Sequence, residues 1–144
     1  MKPRILLVDD DPLLLAGLKR KLRRYFHILT ATGGPEALQM VDAQDDSLMV
    51  VVSDYRMPGM NGIDLLARIK VLRPDTVRMM LTGSTDLNTA IQAVNEGQIF
   101  QFHLKPCPAD DLARAIEEAI AHYRKAAARR SQLKAMEKSM AQAS

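Results

Sequence analysis

Residues Leu48 to Gly62 read LMVVVSDYRMPGMNG. The first six, LMVVVS, are apolar or small on successive positions rather than alternate ones. That pattern suits a strand covered on both faces, as in a parallel sheet enclosed by helices. The run stops at a single carboxylate, Asp54, and a loop of Pro, Asn and Gly comes next. Desolvating a carboxylate at the mouth of a buried strand costs free energy, so a use for it is expected there.

Working outward, strand-like and helix-like segments alternate. Arg4–Val8 is a short apolar strand. Pro12–Leu22 has Leu14, Leu15, Leu18 and Leu22 at spacings of three and four, which predicts a helix. Asp11 before Pro12 is the expected N-cap, with Pro at the first helical position. His27–Ala31 is a second strand, and Gly34–Ala43 a helix with Ala37, Leu38 and Val41 inward. Gly62–Val71 is a helix ended by Arg73-Pro74. Thr76–Thr82 is a fourth strand, and Asp86–Glu96 a helix with Leu87, Ala90, Ile91 and Val94 on one side, closed by Gly97. Phe100–Leu104 is a fifth strand. From Pro108 a long helix carries Leu112, Ala115, Ile116, Ala119, Ile120 and Tyr123 inward. Five β-α units predict a doubly wound, flavodoxin-like α/β fold: a parallel five-stranded sheet in order 2-1-3-4-5, helices on both faces, and an extended C-terminal helix.

The 144 residues suit one domain with a short extension. At 47% apolar and only 4% aromatic, without Trp, the core must be built from aliphatic side chains and Met. No apolar run reaches the ~20 residues that span a bilayer, and the N-terminus lacks the pattern of a signal peptide. Cys107 is the only cysteine, so no internal disulfide is possible. A cytoplasmic protein without a membrane partner is expected. The net charge of +3 is unevenly spread. Residues 124–144 hold Arg124, Lys125, Arg129, Arg130, Lys134 and Lys138 against Glu137 alone, leaving residues 1–123 mildly acidic. The expected division is a globular unit, 1–123, and a basic helical extension, 124–144. Alternation with Ala and Gln favours a solvated helix face over nucleic-acid contact in that tail. Leu133, Met136 and Met140 recur at helical spacing and form a candidate seam, or one face of an amphipathic tail.

Ligands of open parallel α/β sheets bind beyond the carboxyl ends of the strands. Those ends carry Asp9-Asp10-Asp11, then Asp54, then Thr82-Gly83, then Lys105-Pro106. Strands 1 and 3 are neighbours in the expected order, so Asp9, Asp10 and Asp54 converge. Three such carboxylates raise at least one pKa unless a cation joins them. Hard oxygen donors suit Mg²⁺, which commonly pairs with phosphate. Lys105 adds a point charge for an anion, Thr82 a hydroxyl, and Gly83 room for close backbone approach. Together these parts fit phosphoryl transfer to a carboxylate. Asp54 is expected to be the nucleophile, as the least shared carboxylate, protruding alone toward its loop. Any one of these features alone is as well explained by a cap or a turn; their joint occurrence at successive strand ends is not.

The segments ILLVDDDP (Ile5–Pro12), VVSDYRMPGMNGIDLL (Val51–Leu66), MMLTG (Met79–Gly83) and FHLKP (Phe102–Pro106) resemble the receiver domain of two-component response regulators. The resemblance covers about residues 3–123. It implies that Asp54 is the phosphoacceptor, and that Asp10 binds Mg²⁺ directly with Asp9 acting through water. It also implies the Arg56 backbone carbonyl as a third protein ligand and Lys105 as the phosphoryl clamp. Thr82 would be the switch hydroxyl, and Phe102 the aromatic that turns inward with it. The stretch LTGSTDLNTAIQAVNEGQIFQFHLKP resembles receivers attached to HD-GYP-type or related output domains. Implied partners are a histidine kinase or phosphotransfer protein, and an effector domain in cis beyond residue 144. A homodimer would use the C-terminal helix or the surface of helix 4, strand 5 and helix 5. Phe102 stands where Tyr is frequent. The resemblance implies that Arg56 and Ser84 occupy positions that tune dephosphorylation; an arginine there could screen the phosphate or hinder attacking water, and no lifetime follows from the sequence. Cys107 reads as a small, partly buried apolar residue rather than a redox sensor.

Three other classes fit the residues less well. A phosphatase of the haloacid-dehalogenase type wants a second Asp two residues after the nucleophile, where Arg56 stands. A constitutive interaction module does not need the intact set of Asp9, Asp10, Asp54, Thr82 and Lys105. A nucleic-acid binder through the basic tail lacks a helix-turn-helix pattern after it.

Overall fold

The computed structural model describes residues 2–43 and 47–143. The Leu48 run forms β3 (Leu48–Asp54), the middle strand of a five-stranded parallel sheet in order β2-β1-β3-β4-β5. Its neighbours are β1 (Arg4–Val8) and β4 (Val77–Thr82), with β2 (His27–Ala31) and β5 (Gln101–Leu104) at the edges. The connecting helices are α1 (Pro12–Leu22), α2 (Gly34–Ala43), α3 (Gly62–Leu72), α4 (Leu87–Asn95) and α5 (Ala109–Ala143).

The side-chain period of two splits the sheet into two buried layers. Ile5, Leu7, Val50, Val52, Met79 and Leu81 pack on one face with Leu15, Leu18 and Leu22 of α1 and Leu112, Ile116 and Ile120 of α5. Leu6, Val8, Val51 and Met80 pack on the other with Ala37 and Val41 of α2, Leu65, Leu66 and Ile69 of α3, and Ala90 and Ala93 of α4. Each fully buried Leu or Ile stabilises the fold by about 1.5–3 kcal/mol relative to exposure. Because β1 and β3 lie inside this sandwich, the residues at their carboxyl ends are held rigidly at one rim.

Helix starts obey local chemistry. The Asp11 carboxylate accepts from Leu13 N at 3.0 Å and Leu14 N at 3.2 Å, capping α1. Asn61 does the same for α3 through Asp64 N at 2.9 Å. The fourth helix begins later than its pattern predicts: a single 3₁₀ turn, Ser84–Asp86, precedes it. The fifth strand also begins one residue late. The Phe100 N–H still reaches Arg78 O at 2.7 Å, while its ring stacks on His122 at 4.7 Å. Residue 123 falls inside α5, which runs on unbroken. Arg130 of that helix pairs with Asp75 ahead of β4. Farther along, Leu133, Met136 and Met140 are exposed.

Candidate functional site

β1 continues its ladder one step past Val8, with Asp9 N donating to Ala31 O at 3.2 Å. This aims Asp9 at the rim where β3 ends in Asp54. Carboxylate oxygens of Asp9, Asp10 and Asp54 all lie within 4.8 Å of one another. β5 extends its ladder through Lys105 N to Thr82 O at 2.8 Å, bringing the Lys105 side chain to the same rim. Its Nζ donates to Asp9 Oδ2 at 2.7 Å and lies 3.2 Å from Asp54 Oδ1. The other Asp9 oxygen accepts from Asp11 N at 2.9 Å. The structure thus brings together four residues from three strand ends and the segment after β1.

Burial pushes the Asp54 carboxyl up, and the Asp9 charge adds to it; Lys105 offsets part of the rise. For Lys105, burial is the largest single influence and pulls its pKa down. Its hydrogen bond and attraction to Asp9, with those to Asp54, outweigh that, and the net shift is upward. Lys105 therefore stays charged and serves as the internal counter-ion.

The expected exposure of the carboxylates is reversed. Asp54 does not protrude alone: it is 7% exposed and shares Lys105 with Asp9. Asp10 is the exposed member. The reason is register: Asp54 is still a ladder residue, paired with Leu81, so the sheet encloses it. The Arg56 guanidinium is held by Asp86, with Nε to Oδ2 at 2.6 Å and Nη2 to Oδ1 at 2.7 Å.

Thr82 is fully buried, and its hydroxyl donates only a long bond, 3.4 Å, to Gly83 O. Phe102 is half-buried against the layer of α2, α3 and α4. The β4–β5 register pairs Met80 with Phe102 and Thr82 with Leu104, so Thr82 and Phe102 sit diagonally on one face. Gly83 has φ −78°, and an added Cβ would meet nothing nearer than Thr85 Oγ1 at 4.0 Å, so packing does not demand glycine there. Ser84 is exposed in the next turn. Cys107 is half-buried, and burial, then Asp111, pushes its thiol up, away from thiolate reactivity. Sequence reasoning missed Asp86 as a site residue. It reads only as a helix start, and its partner lies thirty residues earlier.

The donor set fits a hard divalent cation: three convergent carboxylates, one of them open to solvent, and only one ammonium to balance them. Parallel strands with an acidic rim where β1 and β3 adjoin define a doubly wound α/β protein whose site lies at the switch point of the sheet. The model for the response regulator receiver domain matches residues 5–117, and the chain belongs to that family. It is a receiver domain of the two-component type, a class of phosphorylation-controlled signalling switches rather than metabolic catalysts. The hydrogenase transcriptional regulatory protein HoxA of Cupriavidus necator is 34% identical over 116 residues, 81% of this chain and 24% of that protein. The chain spans about a quarter of the length of such curated relatives. A crystal structure of adenylate cyclase from Rhodopirellula baltica is 43% identical with a TM-score of 0.90, covering 93% of this chain and 98% of that one. The signal receiver domain of an HD domain-containing protein from Pseudomonas fluorescens Pf-5 is 33% identical with a TM-score of 0.80, covering 89% and 93%. Among the described residues no helix is long and apolar enough to cross a membrane.

Proposed function

We propose that this chain is a switch that accepts a phosphoryl group on Asp54 from a histidine kinase or a phosphotransfer protein in the cytoplasm. The observation that carries this reading is the convergence of Asp9, Asp10 and Asp54 with Lys105 bridging two of them. Asp10 and Asp54, with the Arg56 carbonyl, would hold Mg²⁺, and Asp9 would act through water. When bound, the ion supplies charge neutralisation for the transferring group. An Asp54 oxygen attacks phosphorus; the bond from phosphorus to the donor nitrogen breaks, and the leaving imidazole takes up a proton. Lys105 moves from carboxylate to phosphoryl oxygen, keeping a charge-assisted bond throughout.

The acyl phosphate adds a charge of about −2 in place of −1. Thr82 is poised to answer it, because its hydroxyl is held only by the long bond to Gly83 O. Its movement frees space toward Phe102, on the same face of the sheet. Nearby, Leu87 and Ile91 of α4 and Leu104 of β5 are exposed apolar residues, suited to a partner that reads the change. Residues 1–123 form the receiver unit, and 124–144 a helical extension that links it to an effector domain in cis or pairs with a second copy. The extension is also present in part in the cyclase structure, whose match covers more of this chain than the family model does. Similar receivers belong to a protein titled adenylate cyclase, to an HD domain-containing protein and to transcriptional regulators, so an effector domain of one of these kinds in cis is favoured over a tail that itself binds nucleic acid. Intact-protein mass after incubation with Mg²⁺ and acetyl phosphate tests the reading. One phosphoryl adduct is expected, absent without Mg²⁺ and absent in Asp54→Asn; no adduct refutes it.

A further inference from the structure

One bidentate contact ties the β3–α3 loop to the β4–α4 loop. Arg56 and Asp86 meet fork to fork at 2.6 and 2.7 Å. Such geometry fixes orientation as well as distance. The Asp86 residue is 7% exposed, whereas the Arg56 side chain is 73% exposed. Asp86 is shallow but covered, and Arg56 reaches across from solvent to lie on it. The hydrogen bond from Arg56 holds Asp86 below the usual carboxylate range, so the pair is fully charged at neutral pH.

Two features make this more than a surface ion pair. Each partner lies just past a residue of the proposed chemistry: Arg56 comes two after Asp54, and Asp86 four after Thr82. Asp86 also stands at the N-cap position of α4 yet makes no side-chain cap bond. Asp11 and Asn61, in the same position on α1 and α3, do cap their helices. A capping carboxylate is normally taken up by the first helical N–H groups. Asp86 is committed to Arg56 instead.

We propose that Asp86 is a positioning residue that holds the Arg56 guanidinium off the mouth of the Asp54 pocket and so shortens the life of the phosphoryl group. The inference rests on the proposed phosphoryl switch at Asp54. A phosphoryl group on Asp54 and the Asp86 carboxylate compete for one guanidinium. On Asp86, Arg56 leaves the approach to phosphorus open. Water then attacks phosphorus, the bond to the Asp54 oxygen breaks, the carboxylate is restored, and inorganic phosphate leaves with the water's oxygen. On the phosphoryl group, Arg56 would pair with an oxygen and cover that approach.

The test is a first-order decay measurement on the full chain. The protein is charged with acetyl phosphate and Mg²⁺, the donor is removed, and the adduct mass is tracked for the parent, Asp86→Ala, Arg56→Ala and the double variant. Asp86→Ala is expected to lengthen the lifetime on the order of fivefold. The double variant is expected to match Arg56→Ala, because without the guanidinium there is nothing to position. Asp86→Asn, which keeps an acceptor and can cap α4, is expected to lengthen the lifetime less, and it carries the test if the alanine variant fails to fold. An unchanged or shorter lifetime in the folded Asp86 variants overturns the inference. So does a lengthening that persists with Ala at position 56, which marks a merely structural role. A parent that forms no Asp54 adduct overturns the proposed function and this inference together. A parent that charges fully while the variants decay alike overturns this inference alone.

Discussion

Gly62→Ala puts the geometry of the site to a severe test. A Cβ at Gly62 would lie 2.3 Å from Asp54 O, 3.0 Å from Tyr55 Cα and 3.1 Å from Asp54 C. All three are backbone atoms, so no flexible side-chain end can swing aside. Ordinary carbon–oxygen contacts begin at about 3.3 Å, so the β3–α3 loop must open by roughly 1 Å. The opening stretches the bond from Gly62 N to Tyr55 O, now 2.7 Å. It also displaces Arg56, whose carbonyl is a proposed ligand. Overpacking of this kind costs about 1–3 kcal/mol and the weakened bond about 1 kcal/mol, against a gain of about 0.4–1 kcal/mol from the stiffer unfolded chain. The net expectation is a loss of about 1–3.5 kcal/mol. In urea unfolding the midpoint should fall by about 1–2 M at unchanged slope, and a Mg²⁺ titration should show weaker binding. Gly17 in α1 is the internal control, because an added Cβ there meets nothing within 4 Å. Gly17→Ala should stabilise by about 0.5–1 kcal/mol. If Gly62→Ala stays within about 0.5 kcal/mol of the parent and binds Mg²⁺ equally well, the close approach that shapes the loop is not as described.

Asp54→Asn should raise the melting temperature at pH 7 without divalent ions. The Asp54 carboxyl is raised by burial and then by Asp9, so its favourable contribution belongs to the protonated form. That contribution is present below the unfolded carboxylate pKa and lost as pH rises through the folded one; the advantage of Asn should therefore vanish near pH ~4. A lower melting temperature at pH 7 would contradict this. Lys105→Gln should move two readouts in opposite directions. Mg²⁺ should bind several-fold tighter by calorimetric titration, because the ammonium no longer occupies Asp9 and Asp54. The phosphoryl yield should fall, and weaker Mg²⁺ binding would mean that Lys105 does not compete for those oxygens. Ending the chain after Arg130 should leave thermal stability unchanged, since Leu133, Met136 and Met140 cover nothing in the described residues. Ending it after Tyr123 removes the half-exposed Arg130–Asp75 pair and should cost at most about 1 kcal/mol. A larger loss on the first truncation would show that the tail packs on the domain.

The central strand was legible because a strand buried on both faces has nowhere to put polar residues. Val50, Val51 and Val52 fit such a strand, and α1 emerges from Leu spacing and from the cap at Asp11, whereas the Asn61 cap of α3 shows only in the structure. The convergence of Asp9, Asp10, Asp54 and Lys105 was legible too, because strand order decides which ends adjoin. The relative exposure of the carboxylates was not. It depends on whether Asp54 is the last ladder residue or the first loop residue, a difference of one position that composition does not mark.

The Arg56–Asp86 pair failed to show for a different reason. Side chains on strands point where the pleat sends them, whereas side chains on loops point where a partner draws them. Neither periodicity nor turn chemistry links residue 56 to residue 86, and the uncapped start of α4 becomes visible only in three dimensions. The residues proposed to accept the phosphoryl group are therefore set by the sheet, and those proposed to time its loss are set by two loops. Chains that share the five residues at the strand ends but carry a different pair at these loop positions should share the chemistry and differ in its duration. The pair can be exchanged between two such chains without disturbing either core, because neither side chain belongs to the two buried layers. Lifetimes that travel with the exchanged pair would locate timing in the loops. Lifetimes that stay with the parent sheet would return it to the strand ends.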